Sequence, residues 1–240
     1  MLYIIGLGLN VDGISKYGLD IVKRCKRVYL ENYTVDFPYS MQELIDVIGK
    51  KILPADRGLV EGLSLIDEAR KLDVALLVYG SPLTATTHIS LIDEAKKSGV
   101  RYKVIYNASI IDAVGETGLQ LYKFGKIASM PGWNKDKNYE PNSFMEIVKE
   151  NEKIGAHSLI LVDIGLDFPD AIEQLKKSAS KNKVKLNKLL VCQALGTKHR
   201  KIMYKPIKEL EEYSGVRKPY CMIIPGKLHF VEKDVLKGFK

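Results

Sequence analysis

The sequence predicts an α/β protein whose N-terminal half holds a mainly parallel sheet. Strand-length apolar runs alternate along the chain with helical patterns, and this alternation is typical of a parallel sheet. The run at 74–78 is wholly apolar, as in a strand covered on both faces. The chain has 240 residues, enough for two α/β domains. We place their boundary near Ile110, giving domains 1–110 and 111–240.

The N-terminal half supplies most of the alternation. Strands are predicted at 2–5, 28–30, 74–78 and 102–106. Helices are predicted at 41–48, 63–71 and 89–97. A further helix follows the first strand, with Ser15 as its N-cap. Its apolar face contains Ile14, Ile21, Val22 and Cys25.

The C-terminal half has a different pattern. We expect a helix at 111–124 and another at 143–154 that Ser143 caps, with the polar loop 132–142 between them. Pro169 begins a third helix, at a position where its missing N–H does no harm. Shorter strands are predicted at 158–162, 189–192, 202–204 and 220–224.

Composition argues against several classes of protein. No apolar run approaches the ~18–20 residues of a membrane span, and the N-terminus lacks the basic start and long apolar stretch of a signal peptide. The three cysteines are far apart and form no C-x-x-C pair, so neither a disulfide framework nor a metal site is indicated. We therefore expect a cytoplasmic protein with no membrane partner.

The net charge of +8 leaves a polyanionic partner open. The excess is spread along the chain, and the alternation of aromatic and basic residues typical of single-strand binding is missing. We therefore expect no specific nucleic acid as partner and interpret the lysines mainly as a solvated surface. Basic residues lie close together at Lys181, Lys183, Lys185, Lys188, Lys198, Arg200 and Lys201.

Three glycine- or serine-containing turns follow predicted strands, at 6–9 (GLGL), 79–82 (YGSP) and 107–110 (NASI). In open α/β sheets, ligands bind at the carboxyl ends of strands. Glycine permits close approach of a ligand to the backbone, and serine supplies a short hydrogen-bonding group. The first turn is not a dinucleotide fingerprint, because G-x-G-x-x-G requires glycine where the chain has Val11.

Recognisable catalytic clusters are scarce. The sequence contains no H-E-x-x-H, no G-x-S-x-G and no phosphate-binding P-loop. Four histidines are scattered, at His88, His157, His199 and His229. A reaction that needs neither a metal nor a dedicated base therefore fits this chain better than hydrolysis does, and we assign no catalytic residue.

A set of strings in fixed order identifies a family resemblance. The chain begins LYIIGLGL at 2–9, and shorter matches follow at Glu31, Tyr33-Thr34, Arg57, Val60-Glu61, 80–83, 85–88 (ATTH), 108–110, 113–115, 117–119, 122–126 (YKFGK) and 225–229 (PGKLH). In these strings the chain resembles the diphthine synthases, a branch of the tetrapyrrole-methylase family. The ATTH, YKFGK and PGKLH strings distinguish that branch from corrin and sirohaem methylases.

The resemblance implies a methyltransferase of two α/β domains that holds S-adenosylmethionine in the cleft between them. Family members are usually homodimers. The implied acceptor is the amino group of a 3-amino-3-carboxypropyl arm on a histidine of translation elongation factor 2, methylated to give diphthine in diphthamide biosynthesis. The implied cofactor contacts are Leu9, Ser81, Thr84, Ser109, Ile110, Val162, Leu195 and His229.

Departures from the family pattern lie within this contact set. The family usually has aspartate where this chain has Ser81, and a small aliphatic residue where it has Thr84. The positions of Val162 and Leu195 depend on Asp163 and Gly196 as anchors. The segment between Asp163 and Leu189 is also shorter than usual.

For the acceptor side of the site, the candidates are Glu31 and the hydroxyls of Tyr33, Thr86 and Thr87, each of which could instead make a structural hydrogen bond. Two other functions remain open from sequence. One is a precorrin-type tetrapyrrole methylase on the same fold. The other is a basic nucleic-acid-binding protein without enzymatic activity.

Overall fold

A computed structural model describes residues 1–62 and 64–239. Over these residues the chain divides into two compact units, one spanning Met1–Ile111 and the other beginning at Asp112. The residue-level placement of a domain boundary at Ile110 stays a prediction. No helix in the described part of the chain is long and apolar enough to cross a bilayer.

The first unit is built on a parallel sheet. Its strands, over the residues described, are β1 Leu2–Gly6, β2 Arg27–Glu31, β3 Leu53–Ala55, β4 Val74–Val78 and β5 Tyr102–Ile105. They lie in the order β3-β2-β4-β1-β5, and every pairing is parallel. The prediction of a parallel N-terminal sheet is confirmed. All carboxyl ends of these strands therefore meet at one edge.

Strand β4 lies in the middle of the sheet, and its residues face two hydrophobic cores in alternation. Val74, Leu76 and Val78 pack into one core, and Ala75 and Leu77 pack into the other. All five side chains are fully buried. A wholly apolar strand is required at such a position, since each face of a central parallel strand is covered by helices.

The helices of this unit are α1 Lys16–Arg24, α2 Met41–Ile48, α3 Arg57–Glu61, α4 Ser64–Lys71 and α5 Ile89–Lys97, and α6 Ile110–Ala113 follows at the boundary. Ser15 caps α1 as predicted, because its hydroxyl accepts a hydrogen bond from the Gly18 N–H at 3.0 Å. The predicted helix 63–71 corresponds to α4, and Leu63 lies outside the described residues. Sequence periodicity missed the short elements β3 and α3.

The second unit is built on a mixed sheet. Its strands in the described region are β6 Ala128–Met130, β7 Ser158–Val162, β8 Lys188–Gln193, β9 Lys201–Pro206 and β10 Tyr220–Ile224. The order is β6-β7-β10-β8-β9, with β6 and β7 parallel and the other pairs antiparallel. Its remaining helices are α7 Ser143–Lys153, α8 Phe168–Asn182, α9 Ile207–Glu211 and α10 Phe230–Leu236.

Two predicted helical features of this unit are wrong. The helix expected over 111–124 stops at Ala113 and gives way to 3₁₀ turns at Val114–Thr117 and Leu121–Lys123. Gly118 separates these turns with a φ of +79°, a left-handed conformation that ends a right-handed helix. A Cβ at this glycine would lie 2.4 Å from Val235 Cγ1, so the chain passes close to α10 here.

Ser143 is not the N-cap of α7. It is the first helical residue, and Asn142 occupies the cap position without a side-chain cap bond. The Asn142 carbonyl accepts a hydrogen bond from the Met145 N–H at 3.0 Å. Pro169 does lie in the first turn of α8, as predicted.

Candidate functional site

The three predicted ligand-binding turns of the first unit meet at the carboxyl edge of its sheet. The backbones of Gly8 and Gly80 exchange two hydrogen bonds, of 3.1 and 2.9 Å. The Asn107 side-chain amide donates to the carbonyls of Gly6 (3.0 Å) and Gly13 (2.8 Å). The loops after β1, β4 and β5 are therefore tied into one surface.

Glycine is required where these loops approach one another. A Cβ on Gly6 would lie 2.6 Å from the carbonyl oxygen of Gly80, a distance that real Cβ atoms essentially never show. Gly80 has a φ of +69°, and a Cβ there would lie 3.7 Å from the Ala108 carbonyl oxygen. The glycines thus let the loops pack against one another, with the backbone of Gly6, Gly8 and Gly80 buried.

Five of the predicted cofactor residues lie in these three loops: Leu9, Ser81, Thr84, Ser109 and Ile110. The Leu9 carbonyl accepts a hydrogen bond from the Tyr79 hydroxyl at 2.9 Å. Burial raises the pKa of Tyr79, which keeps this hydroxyl protonated as a donor. The structure therefore brings the first-unit part of the predicted set to one edge.

The side chains in this set suit a polar ligand. Ser81 and Thr84 are half-buried, and neither hydroxyl bonds to another residue within the described chain. The Thr84 N–H donates to the Ser81 carbonyl at 3.1 Å, so the two residues share one tight turn. Hydroxyls and backbone groups can bond the ribose and amino-acid ends of S-adenosylmethionine. The residues present fit that cofactor, and their individual contacts stay predictions.

The second-unit members of the predicted set fall into two places. Strands β7 and β8 both run antiparallel to β10, so Val162 and Leu195 lie near the edge where β10 begins. The chain leaves β10 at the opposite edge and reaches His229 five residues after Ile224. Within this unit, then, His229 lies apart from the other two. All three stay predicted cofactor contacts.

The ATTH string shapes the loop that carries Ser81 and Thr84. The Thr86 hydroxyl donates to the Pro82 carbonyl oxygen at 2.8 Å, and His88 Nδ1 lies 3.0 Å from the same oxygen. A carbonyl can only accept, so Nδ1 of the fully buried His88 carries the proton. The string therefore ties the end of the predicted cofactor loop back to Pro82.

The other candidates for the acceptor side also make structural hydrogen bonds. Glu31 is fully buried, and its carboxylate accepts from the Tyr33 N–H at 3.0 Å and the Thr34 hydroxyl at 2.9 Å. The Thr87 hydroxyl donates to Glu61 at 3.2 Å. These contacts place Glu31 as a support for the residues that follow it. Whether Tyr33 or Thr87 also contacts an acceptor stays a prediction.

Arg57 lies in one of the matching strings, and the sequence indicates no role for it. Arg57 opens α3, and its side chain is 70% exposed. The guanidinium carbon lies 5.4 Å from the centre of the Tyr33 ring, within range of a cation–π contact. The edge of the Tyr33 ring pairs with His88, with ring centres 6.5 Å apart. The sequence carries no signal for this contact, because Arg57 has no aromatic residue near it in the chain and meets Tyr33 only in the fold.

The YKFGK and PGKLH strings meet in the second unit at the fully buried Glu232. Its Oε1 accepts from the Gln120 N–H at 3.0 Å and His157 Nε2 at 3.1 Å. Its Oε2 accepts from the Lys123 ammonium and from the His229 N–H, the latter at 2.6 Å. We call this set the Glu232 network.

The network sets the charge states of Glu232 and His157. Burial alone would raise the pKa of Glu232, but the donors of Gln120, Lys123, His229 and His157 together lower it to about 2. Burial lowers the pKa of His157, against the opposing effect of Glu232. His157 Nδ1 accepts from the Gly226 N–H at 2.9 Å, so the neutral ring carries its proton on Nε2.

The two-unit fold and the contacts of the matching strings agree with the family that comparison with known proteins gives. The model of the tetrapyrrole (corrin/porphyrin) methylases matches residues 1–211. The chain belongs to this family, and it is an S-adenosylmethionine-dependent methyltransferase.

Relatives narrow the comparison to one branch. The chain is 40% identical over 253 residues to a diphthine synthase of Methanocaldococcus jannaschii, covering 99% of this chain and 98% of the relative. It is 46% identical over 167 residues to a human diphthine methyl ester synthase, covering 68% of this chain and 58% of that protein. A crystal structure of a diphthine synthase superimposes with a TM-score of 0.90 at 30% identity, covering 99% and 95% of the two chains.

Proposed function

We propose that this chain is a diphthine synthase acting in diphthamide biosynthesis. Its acceptor is then the amino group of the 3-amino-3-carboxypropyl arm on a histidine of translation elongation factor 2. The observation that carries the proposal is the 40% identity, over nearly the full length of both chains, to the archaeal diphthine synthase. The ATTH, YKFGK and PGKLH strings support it, because they distinguish the diphthine synthase branch, and Thr86, Lys123 and Gly226 of these strings make hydrogen bonds in the fold.

Methyl transfer to the acceptor depends mainly on alignment of the methyl group with the acceptor nitrogen. When bound, S-adenosylmethionine supplies a methyl group already activated by a sulfonium sulfur. The first-unit loops, with Ser81 and Thr84, would hold that cofactor in a fixed pose. Positioning of this kind can lower a barrier by roughly 7–11 kcal/mol in well-oriented systems. A dedicated base is not required if the acceptor amine arrives unprotonated.

A second candidate differs in the atom that is methylated. The human relative bears the name of a methyl ester synthase, which implies methylation of a carboxylate. The archaeal relative bears the name of a diphthine synthase. Both names occur among near-complete matches, since a probable diphthine methyl ester synthase of Arabidopsis thaliana is 36% identical over 100% of this chain and 98% of that protein. Because identity to the archaeal diphthine synthase is higher, at 40%, we propose methylation of the amine, repeated on the same nitrogen.

The proposal is tested by transfer of label from S-adenosylmethionine. The purified chain is incubated with elongation factor 2 that bears the unmethylated arm, with the same factor lacking the arm, and with a precorrin-type tetrapyrrole. We expect label only in the arm-bearing factor, stable to mild alkali as an N-methyl group is. Alkali-labile label would indicate the ester instead. Label in the tetrapyrrole alone would overturn the proposal.

We propose two further properties that rest on the family. The chain works as a homodimer, and it works in the cytoplasm, where an elongation factor would be its substrate. Exposed apolar side chains of the second unit, Tyr122 at 82% and Phe230 at 70%, support a protein contact there. Sedimentation velocity measures the first property, and a monomer at micromolar concentration would contradict it.

A further inference from the structure

Arg57 presents its guanidinium at the start of α3, at the carboxyl edge of the parallel sheet. The Asp56 carboxylate caps α3 by accepting the Leu59 N–H at 2.8 Å, which fixes the first turn from which Arg57 projects. Within the described chain, no group accepts a hydrogen bond from the guanidinium. Its ion pair with Glu61 is loose, with Nε and Oε1 3.9 Å apart. A guanidinium that has no hydrogen-bond acceptor among the described residues, at the carboxyl edge of a parallel sheet, is available to an anion.

Glu61 is the second half of the arrangement. It lies one helical turn after Arg57 and is 41% exposed, and it accepts a hydrogen bond from the Thr87 hydroxyl. The Thr87 bond keeps this carboxylate beside the ATTH loop. One turn of α3 thus presents a cation and an anion side by side. The end of the acceptor arm offers the complementary pair of groups, a carboxylate for the cation and an amino group whose N–H can donate to the anion.

The position of this pair relative to the predicted cofactor loop is fixed by a continuous series of contacts. Arg57 lies over the Tyr33 ring, and the Tyr33 ring meets the His88 ring. His88 in turn bonds the carbonyl of Pro82, which follows Ser81. Buried Glu31 holds the backbone of Tyr33 from behind. All of these residues belong to the first unit.

From this geometry we infer that Arg57 binds the carboxylate of the acceptor arm and that Glu61 accepts a hydrogen bond from its amine. A guanidinium binds a carboxylate through two parallel hydrogen bonds, so it sets orientation as well as affinity. The inference rests on the proposed function, because it takes the arm of that acceptor as the ligand. Arg57 is then a positioning residue that makes the enzyme specific for an arm with a free carboxylate.

The test compares Arg57→Gln and Arg57→Lys with Arg101→Gln. Arg101 is an exposed arginine of the same unit, so its variant has the same net charge as Arg57→Gln. We expect Arg57→Gln to lower kcat/KM for arm-bearing elongation factor 2 by about tenfold to a hundredfold, mainly through KM. The kcat/KM of Arg57→Lys should fall between those of the parent and Arg57→Gln. Lysine keeps the positive charge but cannot donate two parallel hydrogen bonds to a carboxylate. Arg101→Gln should match the parent.

A binding measurement and a stability measurement keep the outcomes separate. The dissociation constant for S-adenosylmethionine and the thermal midpoint should be the same in all four proteins. An Arg57→Gln variant as active as Arg101→Gln would overturn the inference and leave the proposed function standing. Loss of cofactor affinity in Arg57→Gln would also overturn it, since the residue would then serve the cofactor. A parent enzyme inactive on the arm-bearing factor would overturn the proposed function itself.

Discussion

Ser81 is the residue at which this chain departs from the diphthine synthase pattern most directly. The usual aspartate offers a charged acceptor to a ligand that carries an ammonium group and ribose hydroxyls, whereas serine brings no charge. Thr84, also unusual, shares the same turn through the hydrogen bond from its N–H to the Ser81 carbonyl. We infer that the Thr84 hydroxyl, or a water it holds, replaces the missing carboxylate.

This compensation predicts opposite outcomes for two substitutions. Thr84→Val should weaken S-adenosylmethionine binding about fivefold, as expected for one lost hydrogen bond of about 1 kcal/mol. Ser81→Asp should change the dissociation constant by less than about threefold, because the contact is already made. Calorimetry on both variants measures this. A large gain from Ser81→Asp with no loss from Thr84→Val would refute compensation.

His229 has a structural role that the sequence did not reveal. It is the N-cap of α10, and its Nδ1 accepts from the Val231 N–H at 3.4 Å. His229→Ala should therefore cost about 1 kcal/mol of stability in addition to any loss of cofactor affinity. His229→Asn is the matched control, because asparagine is a good N-cap.

If His229 also contacts the cofactor, both variants should bind S-adenosylmethionine more weakly than the parent, and only the alanine variant should unfold earlier. Calorimetry and thermal unfolding of the ligand-free protein separate the two effects. Parent-like affinity in both variants would remove His229 from the cofactor site and leave it as a helix cap.

Single residues also show what sequence could not determine about the site. The strings that contain Glu31, Thr86 and His88 were found, but their roles were not. Glu31 is a candidate for the acceptor side from sequence, and its burial and two accepted hydrogen bonds add a structural role that the string does not indicate. The direction of a side chain depends on contacts between distant segments, and a string does not carry that information.

At the scale of elements, the mainly apolar strands were the most predictable part. β4, β7 and β10 have the predicted bounds, because a run of about five mainly apolar residues has few alternatives to a strand. The helix expected over 111–124 failed because apolar spacing continues past Gly118, while that glycine adopts a left-handed conformation against Val235. Short elements such as α3 and α9 span too few residues to show a period.

The Glu232 network ties α10 to the segment before β7, and its removal should be costly. Glu232→Gln should lower stability at pH 7 by about 1–3 kcal/mol, since a neutral amide at this buried position cannot accept at both ends from the Lys123 ammonium and the backbone N–H donors. Denaturant unfolding measures this loss. Glu146→Gln, an exposed change on α7, is the control and should stay within about 0.5 kcal/mol of the parent.

The same network predicts a dependence on pH. The pKa of Glu232 is about 2 when folded, against about 4.3 for an unperturbed glutamate in the unfolded chain. The depressed folded pKa means that this stabilisation is complete above about pH 4.3 and is lost as the pH falls toward 2. In that window the stability of Glu232→Gln should fall less steeply than that of the parent. Parallel curves would contradict this assignment.

For the whole molecule, family membership and fold class followed from sequence, because the matching strings span both halves of the chain. The first-unit part of the site also followed, since carboxyl ends of parallel strands share one edge. The second-unit part was less accessible. In a mixed sheet, strand direction decides which residues share an edge, and the directions of β7, β8 and β10 cannot be read from apolar runs.

The charge of the whole molecule carries its own prediction. With a net charge of +8, encounter with an acidic face of elongation factor 2 should be accelerated by long-range attraction. Exposed charges are screened beyond roughly 8 Å at physiological ionic strength. The association rate should therefore fall as salt is raised, which stopped-flow mixing measures. A rate independent of salt would leave the lysines as a feature of the solvated surface.

The central claim is that this methyltransferase modifies the arm of the elongation factor. The most direct measurement is mass spectrometry of the peptide that contains the modified histidine, after incubation with S-adenosylmethionine and the purified chain. We expect this peptide to gain a whole number of methyl groups on the arm nitrogen, and the peptide from a factor lacking the arm to gain none. An arm-bearing peptide of unchanged mass, with a chain that binds S-adenosylmethionine normally, would contradict it.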